Sequence, residues 1–171
     1  VLALDRMAMG GIHDHVGGGF HRYSVDERWE VPHFEKMLYD NGQLLGLYAR
    51  GFERTSDPFY LAVAEGIVDW ARREMRLEGG AFASALDAEV DHREGLNYLW
   101  TDEEVALAMT AAGRAEATPR GRALYGLDRG PNFRDPHHRD EPPRSVLVMG
   151  ERPDRLAASL GMDEDSFLAW R

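Results

Sequence analysis

Residues 10–41 hold the densest group of chemically versatile side chains in this sequence. Four of the seven histidines, His13, His15, His21 and His33, lie there beside Asp14, Arg22, Asp26, Glu27, Arg28, Glu35 and Asp40. Histidine exchanges protons near neutral pH, so a histidine cluster among carboxylates is a candidate acid–base or ligand site. His13-Asp14-His15 has enough ligand atoms for a metal but lacks a third well-spaced ligand, and no metal is expected. Lys36 is the only lysine among 20 basic residues, and it stands inside this same segment. Gly17-Gly18-Gly19 is followed by no Gly-Lys-Ser/Thr and completes no G-x-G-x-x-G, which excludes a phosphate loop. Its expected use is close approach of backbone to another segment or to a ligand.

Other stretches carry weaker chemistry. Asp87-Ala88-Glu89-Val90-Asp91 imitates the first half of a calcium loop, but His92 takes the glycine position and Tyr98 the position of the bidentate glutamate, so that reading fails. Asp87 and Glu89 remain a carboxylate pair of the kind used in glycoside chemistry. Trp29 and Trp100 suit either stacking on a sugar ring or filling core. The chain has no cysteine, which removes disulfides, thiolate nucleophiles and dithiol redox chemistry and fits a cytoplasmic setting. A net charge of −10 with no basic run argues against nucleic acid as a partner. No apolar run reaches the roughly 20 residues of a membrane span, and no signal peptide is visible. The sequence starts at Val1 inside a helical pattern, as expected of a segment of something longer.

The elements that must position these groups read as mainly helical. Leu2, Leu4, Met7 and Met9 suggest a helix tail, ended at Gly10-Gly11 by a left-handed cap. About 20 residues of loop follow, a length usually reserved for function. Pro32 fits the start of a second helix, with Phe34, Met37, Leu38, Leu44, Leu45, Tyr48 and Phe52 at helical spacing. On that wheel Asn41 falls near the middle of the apolar stripe, so its amide must be specifically hydrogen-bonded, and Asp40 lies two turns above His33. Ser56-Asp57-Pro58 opens a third helix with Phe59, Val63, Ile67 and Trp70 on one face, making an antiparallel helical hairpin ended by Gly79-Gly80. Asp69 and Arg73 are spaced to pair on its flank. Residues 81–101 read as a small β-hairpin around the charged centre from Asp87 to Glu94. Thr101 to Glu104 forms a capping box. Residues 129–144 are loop, Ser145 to Met149 a strand, and the end of the chain a helix.

Two strings then identify a resemblance. Gly10-Gly11-Ile12-His13-Asp14-His15-Val16-Gly17-Gly18-Gly19-Phe20-His21-Arg22-Tyr23-Ser24 and Val31-Pro32-His33-Phe34-Glu35-Lys36-Met37-Leu38-Tyr39-Asp40-Asn41 closely resemble the spermatogenesis-associated protein 20 family. Its bacterial members are called thioredoxin-domain-containing proteins. Phe82 to Ala88, Tyr98 to Thr101 and Asn132-Phe133 extend the match along nearly the whole chain. The resemblance implies an N-terminal thioredoxin-like domain, absent from these residues, followed by an (α/α)6 toroid similar to N-acylglucosamine 2-epimerases and six-hairpin glycosidases. Residues 1–171 are then expected to be one fragment of that toroid with a small β-hairpin insertion. The family pattern after Asp87-Ala88 continues with Asp-Ser, whereas Glu89-Val90 follows here.

What the resemblance implies about function is a carbohydrate-active domain without a cofactor, with a small sugar as partner and no membrane. By analogy with the epimerases, His33 and His21 or His15 would move a proton beside a sugar carbonyl. Glu35 or Asp40 would orient them, and Arg22 or Lys36 would stabilise the enolate oxygen. His13, Asp14, Tyr23, Trp29, Asn41 and Asp87 complete the expected substrate-binding set. A glycoside hydrolase would instead use Asp87, Glu35 or Asp14. The alternative from a different class is a binding module holding a sugar or peptide without turnover.

Overall fold

The computed structural model describes residues 1–159 and 161–170; the expected C-terminal helix is seen as far as its last described residue, and Leu160 and Arg171 lie outside the description. Among the described residues the architecture is mainly helical with three two-stranded pairings, each only two residues long. Helix α1 (Leu2–Met9) precedes the glycine-rich segment, which contributes strands β1 (Tyr23–Ser24), β2 (Pro32–His33) and β3 (Lys36–Met37). Helices α2 (Leu38–Thr55) and α3 (Pro58–Trp70) follow. Strands β4 (Ala85–Leu86), β5 (Glu89–Val90) and β6 (Arg93–Glu94) come next. Helices α4 (Asp102–Ala111), α5 (Thr118–Leu124), α6 (Pro153–Ser159) and α7 (Glu164–Trp170) complete the described chain. No described helix is long and apolar enough to cross a membrane.

The α2–α3 hairpin forms as its sequence dictates. Asp57 caps α3 by accepting from the Phe59 N–H at 3.0 Å, and Pro58 occupies the first turn, where no N–H is needed. Phe59, Val63, Ile67 and Trp70 recur at helical spacing, and all are buried. Each contributes on the order of 1.5–3 kcal/mol by leaving water. Phe59, Val63 and Ile67 share the larger of two apolar clusters with Tyr48 of α2, Ala8 and Met9 of α1, and Phe20 of the loop. Arg152 ties this layer to the C-terminal part. Its guanidinium pairs with Asp5 and with the α3 cap Asp57, while lying over the Phe59 and Tyr60 rings. The smaller cluster gathers Phe34, Ala88, Leu99 and Val146, with Tyr98 and Phe133 against it. Asn132 braces it, exchanging both hydrogen bonds with the backbone of Val146.

Several expected boundaries move. Pro32 opens a strand instead of a helix: β2 pairs antiparallel with β1, Tyr23 opposite His33. Helix α2 begins only at Leu38, so Phe34 leaves the helical stripe for the smaller cluster. Gly10 ends α1 with φ −72 and ψ 169, an extended conformation and no left-handed cap. The need for glycine there is space, since a Cβ would collide with the carbonyl oxygen of Trp29. Helix α3 runs on through one wider turn, Ala71–Met75, and stops before Gly79. Arg73 turns from Asp69 to Glu74 and to the carbonyl oxygen of Gly17. The hairpin expected over residues 81–101 is narrower. Strand β4 pairs with β3, while β5 and β6 form a tight turn with Asp91 and His92 both at positive φ. Ser145 keeps a single bridge to Trp100 in place of a strand, and α5 was not anticipated. The capping box at Thr101 and Glu104 is present in both directions.

Candidate functional site

Backbone first fixes where the histidine loop can go. Gly18 and Gly19 have φ of 77 and 74, a region costly for residues with a Cβ. A Cβ on Gly18 would stand 2.5 Å from the carbonyl oxygen of Gly66, and one on Gly19 2.7 Å from the Trp70 ring. The glycines thus press the loop onto α3. Asn41 holds the next residue: its Oδ1 accepts the Phe20 N–H at 2.7 Å, and its Nδ2 donates to the carbonyls of Phe20 at 2.9 Å and Met37 at 3.0 Å. The buried amide is therefore fully engaged, as its place in the apolar stripe demands.

Lys36 lies under this loop with no exposed side-chain surface. Its Nζ donates to Asp14 Oδ2 at 2.7 Å and to the carbonyl oxygen of Gly18 at 2.9 Å. The ammonium also sits 4.7 Å from the Tyr98 ring centre and 5.6 Å from that of Trp70, a cation–π setting. Burial raises the Asp14 pKa, but Lys36 and the Gly17 N–H outweigh it and hold the carboxyl down at about 2. Burial draws Lys36 below the ordinary lysine range, against the attraction of Asp14. His21 is also interior. Its Nδ1 donates to the Phe34 carbonyl at 3.0 Å, and burial, followed by the nearby Lys36 charge, lowers its pKa to about 3. At neutral pH this imidazole is uncharged. His13 Nδ1 donates to the Ala8 carbonyl at 3.0 Å, and its ring stacks on Phe20. His15 Nε2 donates to the Gly10 carbonyl at 3.1 Å. The cavity bounded by His13, Asp14, His15, His21 and Tyr98 measures about 10 Å³, too small for a sugar ring. The outer side of the same loop faces α3 across an open groove of about 380 Å³, with Asp14, His15, Glu65, Asp69 and Arg73 on its walls.

The second arrangement lies at the surface, on the β1–β2 ladder. His33 donates from Nδ1 to Glu94 Oε1 at 2.8 Å, and its Nε2 stands 4.0 Å from Glu35 Oε2. Arg22 Nη1 donates to that Glu35 oxygen at 2.8 Å. Tyr23, opposite His33 in the ladder, stacks on the imidazole with ring centres 4.9 Å apart. The His33 side chain retains 30% of its accessible surface. With Nδ1 committed to a carboxylate, the neutral ring presents Nε2 as its proton acceptor, the orientation a general base requires. Asp40, in the first turn of α2, borders this group. Burial raises its pKa, Arg22 opposes the rise, and Glu35 adds to it.

The sequence-chosen residues therefore divide. His13, Asp14, His21, Lys36 and Asn41 lie inside, with His15 at their margin. Arg22, Tyr23, His33, Glu35 and Asp40 gather at the surface. Asp87 is exposed and accepts the Glu89 N–H at 3.0 Å in a local turn. Trp29 stands apart in a third region, on the wall of a cleft with Met9 and Met149. Glu94 and Tyr98 were missed, and Asp26 was named in the cluster without a role. Asp26 organises the 24–31 loop by accepting from the N–H groups of Arg28, Glu30 and Val31. Its Asp-Glu-Arg-Trp context gave a turn signal, whereas Glu94 meets His33 across 61 residues and left no local sign.

No family model matches the chain. Individual relatives do. Spermatogenesis-associated protein 20 of Homo sapiens is 40% identical over 177 residues, covering 95% of this chain and 22% of that protein. The protein of the same name in Rattus norvegicus is 44% identical over 141 residues, covering 76% of this chain and 18% of its own length. That of Mus musculus is 38% identical over 180 residues, with 97% and 23% covered. The chain thus spans about a fifth of the length of the curated relatives it matches. Identity at this level along almost all of its residues places the chain in the spermatogenesis-associated protein 20 family.

Proposed function

We propose that this chain is part of a carbohydrate-active (α/α)6 toroid whose chemistry is histidine-mediated proton transfer, as in a cytoplasmic sugar epimerase or isomerase. The observation that carries the reading is the His33–Glu94 bond of 2.8 Å, which leaves Nε2 at the surface beside Glu35. In the proposed step His33 Nε2 takes the proton from the carbon next to the carbonyl of an open-chain sugar. Glu94 stabilises the imidazolium that forms, and Arg22, already beside Glu35, faces the developing enolate oxygen. Tyr23 keeps the imidazole in plane. Lys36, closed to solvent, acts on the loop and not on the substrate. The other hairpins of the toroid and a thioredoxin-like domain would come from elsewhere in the full-length protein.

The test is proton NMR of the full-length protein with a panel of reducing sugars in D2O. Deuterium should enter the carbon beside the carbonyl, and His33→Ala should abolish entry while leaving sugar affinity in place. A panel that binds with no exchange and no hydrolysis supports the second reading, a sugar-binding module. That reading draws on the burial of His13 and His21, which leaves few titratable groups free to react.

A further inference from the structure

Trp29 has φ 67, a left-handed conformation that costs a bulky residue on the order of 1–2 kcal/mol. The loop enforces it. Ile12 N–H donates to the Trp29 carbonyl at 3.2 Å, and Asp26 gathers the N–H groups of residues 28, 30 and 31. The result is an indole on the wall of a cleft of about 380 Å³, the size of a small-ligand site. Three arginines from separate segments line the same cleft: Arg6 of α1, Arg28 of the loop and Arg129 of the turn after α5. None of the three donates a side-chain hydrogen bond or forms an ion pair among the described residues. Six other arginines, Arg22, Arg73, Arg93, Arg122, Arg144 and Arg152, have carboxylate partners among the described residues. Glu27 and Glu30 share the cleft with the three arginines.

The geometry points to a binding site for a phosphorylated monosaccharide in this cleft, separate from His33. Arginine forks match phosphate oxygens. The flat indole takes the C–H face of a sugar ring, and the two carboxylates accept from its hydroxyls. Those carboxylates also oppose a polyphosphate, since three guanidiniums against two carboxylates leave an excess suited to one phosphate group. The sugar half of this ligand rests on the carbohydrate reading above; the anion half rests on the arginines alone.

The experiment is a calorimetric titration of the full-length protein with glucose 6-phosphate, with glucose and with inorganic phosphate. The hexose phosphate should bind at least about tenfold more tightly than either part, the difference expected from one added charge-assisted contact. Arg129→Gln and Arg28→Gln, both exposed positions, should each weaken it by about tenfold. Trp29→Gly, which relieves the left-handed strain and so protects folding, should remove the preference over inorganic phosphate. Equal binding of hexose phosphate and inorganic phosphate, no binding at millimolar ligand, or affinity insensitive to both arginine substitutions would overturn the site. Binding that passes these tests in a protein without proton exchange would keep the site and remove the epimerase reading.

Discussion

Two histidines of one segment have opposite fates because of what their rings face. His21 is enclosed beside an ammonium and stays neutral, while His33 lies at the surface with its Nδ1 bonded to the Glu94 carboxylate. For His21 the linkage has a definite sign. Its folded pKa of about 3 lies below the ordinary 6.5, so between those values the unfolded chain binds the extra proton and stability falls as pH falls. The slope from this one group approaches about 1.4 kcal/mol per pH unit. Chemical denaturation at a series of pH values should show it, and His21→Gln should flatten the curve below pH 6.5. Asp14 adds a second loss at lower pH, since its carboxyl is depressed from 3.8 to about 2 and its contribution disappears as pH falls through that interval. Lys36→Met strands the Asp14 charge in the interior and should cost about 3–5 kcal/mol. Asp14→Asn combined with Lys36→Met should recover part of that loss, because the pair is removed together. Thermal unfolding of the three variants measures this directly.

At the scale of elements, the contact of the glycine loop with α3 is a matter of van der Waals space. Gly18→Ala would push a methyl into the Gly66 carbonyl at positive φ and should destabilise by more than about 1 kcal/mol. Gly66→Ala meets nothing within 4 Å and gains helix propensity, so it should be neutral or stabilising by up to about 1 kcal/mol. Equal losses for both would contradict the packing described. His92→Gly, at the second positive φ of the β5–β6 turn, should stabilise by a few tenths of a kcal/mol or more and test the hairpin that carries Glu94. Elements with their own local signals were legible in the sequence: Asp57-Pro58 with its apolar period gave α3, and Thr101 with Glu104 gave the start of α4. The loop glycines and the engaged Asn41 were also foreseen, because their physics is local. Pro32 misled, since its fixed φ and missing N–H suit a short edge strand as well as a helix start. Strands of two residues have no period to read, and the β3–β4 pairing joins segments about fifty residues apart.

Across the whole molecule, the two apolar clusters divide the labour. The larger, under α1, α2 and α3, anchors the glycine loop through Phe20. The smaller, around Phe34, lies under the ladder that presents His33 and the turn that presents Glu94. The lone lysine stood out by composition alone, but only the fold could assign it to the interior, because burial of Lys36 depends on Trp70 and Tyr98 arriving from distant elements. The most direct test of the central claim is the rate of deuterium entry into sugar substrates with the full-length wild type, His33→Ala, Glu94→Gln and the double variant. Proton transfer by an oriented His33 predicts a loss of about 10²–10⁴-fold for His33→Ala, a smaller loss for Glu94→Gln, and a double variant no worse than His33→Ala alone. Exchange that survives His33→Ala, or losses that simply multiply, would contradict it.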